Sequence, residues 1–193
     1  LLATTLLISS ISLFAQTKPA YEIRVKLNGY QGEKLFLGNY FGDKEYLKDS
    51  VVINKKGWAV FTGTEPLPCG IYSIINQERN MRILEFIVST EDQTFSMEGN
   101  YDSPVATLEV KDSEDNILFS DYQKYMVKNG KRRQELGKLY MDVKNRNQDS
   151  TNLLKEELER MDADYEAYRN GIIEGHPKTL TARILKSLID IDV

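Results

Sequence analysis

Side chains that do chemistry are scarce in this 193-residue chain, which has one cysteine, Cys69, one histidine, His176, and one tryptophan, Trp58. A single thiol forms no internal disulfide, no CxxC redox pair and no cysteine zinc site. One imidazole, far along the chain from that thiol, assembles neither a Ser-His-Asp triad nor a metal cluster. Reactivity in a lone thiol needs a cationic neighbourhood. Pro68-Cys69-Gly70 offers none, so Cys69 reads as a small, partly buried residue at a turn entering a strand. His176 precedes Pro177 and reads as a cap or loop residue. No catalytic residue, cofactor site or metal site is expected.

Positive charge is also in short supply. Lys and Arg number 25 against 29 Asp and Glu, a net charge of −4. Nothing draws such a chain toward nucleic acid or an anionic membrane. The basic run Lys131-Arg132-Arg133 sits among acidic neighbours at helical spacing and reads as a solvated helix face. Hydrophobic content, at 41%, is that of an ordinary packed domain or two small ones.

Residues 1–14 read LLATTLLISSISLF, without a charge. A membrane-crossing helix needs about 20 apolar residues, so no transmembrane anchor is expected. With a small residue at Ala15, the run reads as the apolar and cleavage regions of a secretory signal over residues 1–15, lacking its basic start. The mature chain would begin near Gln16 and be exported to the periplasm or cell envelope. No cysteine follows to carry a lipid. The alternative, an N-terminal core strand or helix, conflicts with Thr17-Lys18-Pro19, which breaks the pattern at once.

From 16 to 111 the chain reads as β structure. Tyr21, Ile23, Val25 and Leu27 alternate with Glu22, Arg24 and Lys26, the period of a half-buried strand. Further strands are expected at 35–37, 50–53, 58–61, 71–75, 81–88, 94–97 and 106–110, separated by Gly, Pro and Asn turn signals. The tight loop Asn54-Lys55-Lys56-Gly57 reads as a hairpin joining 50–53 to 58–61. Trp58, Phe61, Tyr72 and Phe86 are expected in the core rather than on a sugar-stacking platform.

Residues 112–193 read as helical. Ser113-Glu114-Asp115-Asn116 opens a helix with a cap residue and acidic first turn. Asn129-Gly130 is expected to end or interrupt it before a second stretch carrying Leu136, Leu139, Tyr140 and Val143. Ser150 or Thr151 would cap a third helix, in which Leu154, Leu158, Met161, Tyr165, Tyr168 and Ile172 form a seam spaced four and three. That seam is too short for a free coiled coil and suits a helical hairpin. His176-Pro177 would start a last helix with Leu180, Ile184, Leu185 and Leu188. The expected fold is thus α+β: an antiparallel β-sandwich or partly open barrel of about eight short strands, then about four helices. The apolar Val193 straight off an amphipathic helix suggests that more protein follows.

The order of these motifs resembles the N-terminal domain of unknown function that precedes thioredoxin-like domains in exported proteins of Gram-negative bacteria. Asp49-Ser50-Val51-Val52-Ile53 with Gly57-Trp58-Ala59-Val60-Phe61-Thr62-Gly63 is similar to the family's "D-S … G-x-F-x-F-x-G" segment. Pro68-Cys69-Gly70-Ile71-Tyr72 is similar to its "P-G-x-Y" strand, with Cys69 inserted. Phe86-Ile87-Val88 with Met97-Glu98-Gly99 resembles "F-I-V … G", and Ser113 through Phe119 resembles "G-S-x-x-N-x-L-F", with Asp112 where the pattern has Gly. His176-Pro177 is similar to "H-P-x-S". The resemblance implies that redox chemistry belongs to a C-terminal thioredoxin-like domain with a CxxC pair, which this chain lacks. Thiol–disulfide exchange needs a nucleophilic thiolate and a resolving partner.

Three functions are weighed. An accessory module would position, dimerise or dock a downstream thiol-disulfide oxidoreductase domain in the same chain. A binding module would present the sandwich to a glycan or protein partner, with Tyr30, Tyr40, Phe41 and Tyr46 as candidate surface contacts in turn-rich sequence, against a loop-anchoring role for the same rings. An enzyme using paired carboxylates would need a cleft with raised pKa values, and the acidic residues here follow solvated helix faces instead.

Overall fold

The computed structural model describes residues 18–42, 44–76, 81–144 and 146–191, so the segment read as a signal lies outside the described residues. Eight strands run in order: β1 Tyr21–Asn28, β2 Lys34–Phe41, β3 Lys44–Val52, β4 Trp58–Gly63, β5 Gly70–Asn76, β6 Met81–Val88, β7 Thr94–Asn100 and β8 Glu109–Lys111. A one-turn helix, α1 Pro104–Thr107, precedes β8, and α2 Glu114–Val143, α3 Gln148–Gly175 and α4 Leu180–Ile191 follow it. The strands form two four-stranded sheets, ordered β4-β1-β7-β8 and β3-β2-β5-β6. Their inner faces share one core, in which Ile23, Val25, Phe61 and Met97 of the first sheet meet Leu35, Leu37, Tyr72, Ile74 and Phe86 of the second. The fold is an α+β sandwich, with the sheets left open rather than closed into a barrel.

Pairing is antiparallel except between β1 and β7, which run parallel from Glu22 opposite Thr94 to Asn28 opposite Asn100. Parallel neighbours require a long crossover, and here the five strands β2 to β6 supply it.

The expected hairpin at 50–61 is absent. Its turn is present: Asn54 N–H donates to the Trp58 carbonyl at 2.9 Å and Gly57 N–H to the Asn54 carbonyl at 2.8 Å. Asn54 Oδ1 also accepts from the backbone N–H groups of Lys56 and Trp58. Gly57 takes φ 83°, a conformation open to a residue without Cβ. Yet β3 pairs with β2 and β4 with β1, so the chain crosses from one sheet to the other at this turn. Both arms put apolar residues into the common core, Val51 and Ile53 before the turn, Ala59 and Phe61 after it. Because Ala59 and Phe61 point inward, Trp58 points outward. It is half-buried, opposite Lys26, and is not a core residue like Phe61, Tyr72 and Phe86.

The region expected as a strand at 106–110 splits into α1 and the three-residue β8. Further corrections repartition the helices. Asn129-Gly130 does not interrupt α2, which runs unbroken for 30 residues. A mid-helix glycine costs about 1 kcal/mol relative to alanine, which packing against α3 outweighs. The cap of α3 is Asn147, whose side chain accepts from Ser150 N–H, rather than Ser150 or Thr151. His176 caps the C-terminus of α3 and Pro177 lies in the turn, so α4 starts at Leu180.

The expected helical hairpin is present. Its seam joins α2 and α3 through a Tyr125–Tyr168 stack (centroids 4.2 Å apart, 10° between planes) and a Tyr122–Tyr165 hydroxyl bond of 3.0 Å. Farther along, Arg133 donates twice to Asp162, at 2.7 and 3.1 Å, and Arg132 donates to Glu157 at 2.8 Å.

Candidate functional site

The junction between sandwich and helices is a densely bonded polar region. Strand β6 lies at a sheet edge, where outward backbone groups lack a strand partner. Ile87 on β6 is fully buried, so its outward N–H and C=O need a substitute. Asn116, in the first turn of α2, supplies it: Oδ1 accepts from Ile87 N–H at 2.7 Å and Nδ2 donates to the Ile87 carbonyl at 2.8 Å. Ser113 caps α2 by accepting from Asn116 N–H, and its hydroxyl donates to Asp92 at 2.7 Å. Burial holds the Asp92 carboxyl above its ordinary pKa, opposed by that Ser113 bond. Asp115 reaches the other way, accepting from Thr181 N–H at 2.7 Å in the first turn of α4, while the Thr181 hydroxyl donates to the Asp115 carbonyl. His176 Nδ1 lies 2.7 Å from Glu114 Oε1. Residues 113–116 thereby tie α2 to the sandwich, to α4 and to the end of α3. Among the described residues Asp112 is the one non-glycine with positive φ, at 65°. The turn into this junction therefore favours glycine, the residue absent here.

Beyond the junction the hairpin extends with much apolar surface uncovered. Met126, Val127, Leu139, Met141 and Leu153 are all exposed. A cavity of about 300 Å³ opens along it, lined by Tyr125, Met126, Met161 and Tyr165 with the Arg133–Asp162 pair. Burial and the Tyr165 bond raise the Tyr122 hydroxyl well above its usual pKa.

The outer face of the first sheet is a second surface. Strand register aligns Trp58, Lys26, Glu98 and Glu109 in one row, and Val60, Arg24, Ser96 and Lys111 in the next. Arg24 lies over the Trp58 ring at 4.9 Å and Lys26 at 5.7 Å. Lys26 pairs with Glu98 at 2.7 Å, which with a bond from Asn28 holds the Glu98 carboxyl below its ordinary pKa. A hollow of about 480 Å³ adjoins the row, walled by Asn28, Glu98, Asn100, Thr107, Glu109 and Lys124 among others. Gly99 makes this wall close: a Cβ there would stand 3.3 Å from Thr107 Oγ1 and 3.4 Å from Leu108 Cα.

The tyrosines singled out from sequence occupy separate settings. Tyr30 donates to the Lys34 carbonyl at 3.0 Å and packs edge-on against Tyr101 at 5.0 Å. Tyr40 bonds Glu85 at 3.0 Å beneath the Arg82 guanidinium. Tyr46 is exposed opposite Asn39, so register puts it on the other face of the second sheet from Tyr40. The side chain of Phe41 lies outside the described residues. Cys69 is a free, exposed thiol, more open than its turn position suggested. Sequence reasoning missed Trp58 as a surface residue. The inward alternation of Ala59 and Phe61 was the signal that could have found it.

No group of three or more His, Cys, Asp and Glu among the described residues could hold a metal ion, and no described helix is long and apolar enough to cross a membrane. These features define an α+β sandwich module with a helical arm pinned to one sheet edge. The chain belongs to the family described as a domain of unknown function (DUF4369), whose model matches residues 21–137. The match runs from β1 into α2 and so contains β6 and residues 113–116, the sandwich side of the junction. No curated protein and no solved structure matches the chain.

Proposed function

We propose that this chain is a non-catalytic accessory module of an exported thiol-disulfide oxidoreductase, holding a helical arm against which a thioredoxin-like domain of the same protein docks in the cell envelope. The observation that carries this reading is the junction itself. Asn116 fixes the arm to a folded sandwich and Asp115 fixes it to α4, both through buried side-chain-to-backbone bonds, and the arm carries uncovered apolar side chains away from the sandwich. An arm held in one orientation suits positioning, because docking then costs little ordering entropy. Redox turnover would need a second thiol, and the sequence has only Cys69.

Two measurements test this. The coding sequence downstream of codon 193 is expected to encode a CxxC-bearing domain; an immediate stop codon would contradict the reading. In a dithiothreitol-driven insulin reduction assay the chain alone is expected to leave the rate at background, and acceleration would contradict its non-catalytic role.

A further inference from the structure

We propose that β8 is a dimer seam: this free edge of the first sheet pairs antiparallel with β8 of a second copy of the chain, Val110 opposite Val110 and Glu109 opposite Lys111. The proposal is independent of docking by the arm.

One edge of each sheet reaches α2: β6 of the second sheet and β8 of the first. The two edges are finished differently. At β6 the Asn116 side chain takes the place of a neighbouring strand for Ile87. At β8 no described side chain bonds to the backbone of residues 109–111, and α2 stands off from the strand. A groove of about 300 Å³ separates them, lined by residues 108–111 on one side and by Ile117, Ser120, Asp121 and Lys124 on the other. Outward N–H and C=O groups of an edge strand are a template for another strand. Leu108 continues the extended backbone, at φ −64° and ψ 123°, and Asp112, at φ 65°, ends it. Ser120 is a second, independent sign. It is only 3% exposed, and its hydroxyl has no hydrogen-bond partner among the described residues. A buried hydroxyl left unpaired is costly, and the backbone of a strand laid in the groove can pair with it.

The sequence of the strand selects a second copy as that occupant. Opposite residues of an antiparallel pair lie on the same side of the sheet, and neighbours along a strand alternate. A twofold pairing of identical strands therefore sets one residue opposite itself. Centring on Glu109 or on Lys111 brings like charges together, which destabilises the pair. Centring on Val110 sets Glu109 against Lys111 twice and Val110 against Val110. Glu109 and Lys111 are both exposed, so pairing them costs little desolvation. Lys111 already lies diagonal to Glu98 on β7 and helps hold that carboxyl below its ordinary pKa. Glu109 of the second copy approaches Lys111 from the open side. Val110 packs against the rim of the core, and Leu108 and Ile117 give the groove an apolar wall on which a second Val110 can extend that rim.

A seam of so few residue pairs is weak, with an expected dissociation constant on the order of 100 µM. Sedimentation velocity of the full chain from about 10 µM to 1 mM should therefore show a reversible monomer–dimer equilibrium. Glu109→Lys and Lys111→Glu, each confirmed as folded by circular dichroism, place two like-charge contacts in the seam. Each should weaken the dimer at least about tenfold. Mixed in equal amounts, the two variants should associate as the parent does, because every contact between them is again a Lys–Glu pair. The double variant Glu109→Lys/Lys111→Glu should also dimerise like the parent, at unchanged net charge. Four results would each overturn the proposal: a parent chain that stays monomeric to about 1 mM, a dimer that both reversals leave intact (a contact through another face), single variants that stay apart when mixed, or a double variant as weak as the single ones.

Discussion

The sandwich and the arm are stabilised in different ways. In the sandwich, Ile23, Val25, Leu37, Phe61, Ile74 and Met97 are wholly removed from water and form one continuous core. Along the hairpin, Phe119, Leu136 and Ile172 are the buried apolar side chains, while Met141 and Leu153 stay about two-thirds exposed. The sandwich therefore rests on the hydrophobic effect, which is non-directional and scales with buried area. The arm rests on directional contacts: stacked tyrosines, an Arg–Asp fork and the junction bonds. Directional contacts fix orientation, and orientation is what an arm that positions a second domain would need.

The comparison can be broken most severely from the sandwich side. Phe61→Ala should cost about 3–5 kcal/mol, measured by urea denaturation, and should unfold the arm along with the sheets. Next in size is Asn116→Ala. It leaves the buried Ile87 N–H and C=O without partners, at a cost of about 1–3 kcal/mol for an unsatisfied buried group. Its distinctive signature is fast hydrogen exchange at Ile87 and in the first turns of α2, with the β1 and β7 amides still protected.

Alkaline titration compares the two regions within one protein. Burial, ahead of repulsion from the neighbouring Cys69 and Tyr21 groups, raises Tyr72 in the sandwich to about 12. Tyr122 and Tyr168 in the arm are raised as well, again chiefly by burial. A tyrosine raised on folding favours the protonated native state. Its contribution is complete below the ordinary value of 10 and is lost as pH climbs through the folded pKa. Stability should therefore fall from pH 10 to about 12. Tyr72→Phe should make that fall shallower without abolishing it, because the arm tyrosines still titrate. A slope unchanged in the variant would remove Tyr72 from the account. The smallest effect expected is a gain: Asp112→Gly relieves the positive φ of 65° and should stabilise the chain by up to about 1 kcal/mol in thermal unfolding.

Local patterns were legible where one element decides its own burial. The alternation Tyr21-Ile23-Val25-Leu27 and the seam from Leu154 to Ile172 both hold. Ser113 caps α2 as its position before Glu114-Asp115 suggested. What stayed hidden depends on partners distant in sequence. A tight turn at Asn54–Gly57 serves a hairpin or a crossing between sheets equally well, and only the pairing of β3 with β2 decides. Parallel pairing of β1 with β7 spans some 70 residues, as Lys26 and Glu98 do, and no local period encodes it. The Trp58 face is invisible for the same reason, since its rows exist only once four strands are in register. Asn116 was legible as part of a motif, but its role required an edge strand whose buried Ile87 has no strand on its outer side.

Coupling of arm to sandwich is the claim on which the account stands, and two spectroscopic probes of one thermal melt test it most directly. Far-ultraviolet circular dichroism follows chiefly the helices of the arm, and Trp58 fluorescence follows β4 of the sandwich. Coincident transitions are expected in the parent chain, and in Asn116→Ala a helical transition at lower temperature than the fluorescence transition. Separate transitions in the parent, or an Asn116→Ala melt that stays coincident and unshifted, would contradict that coupling.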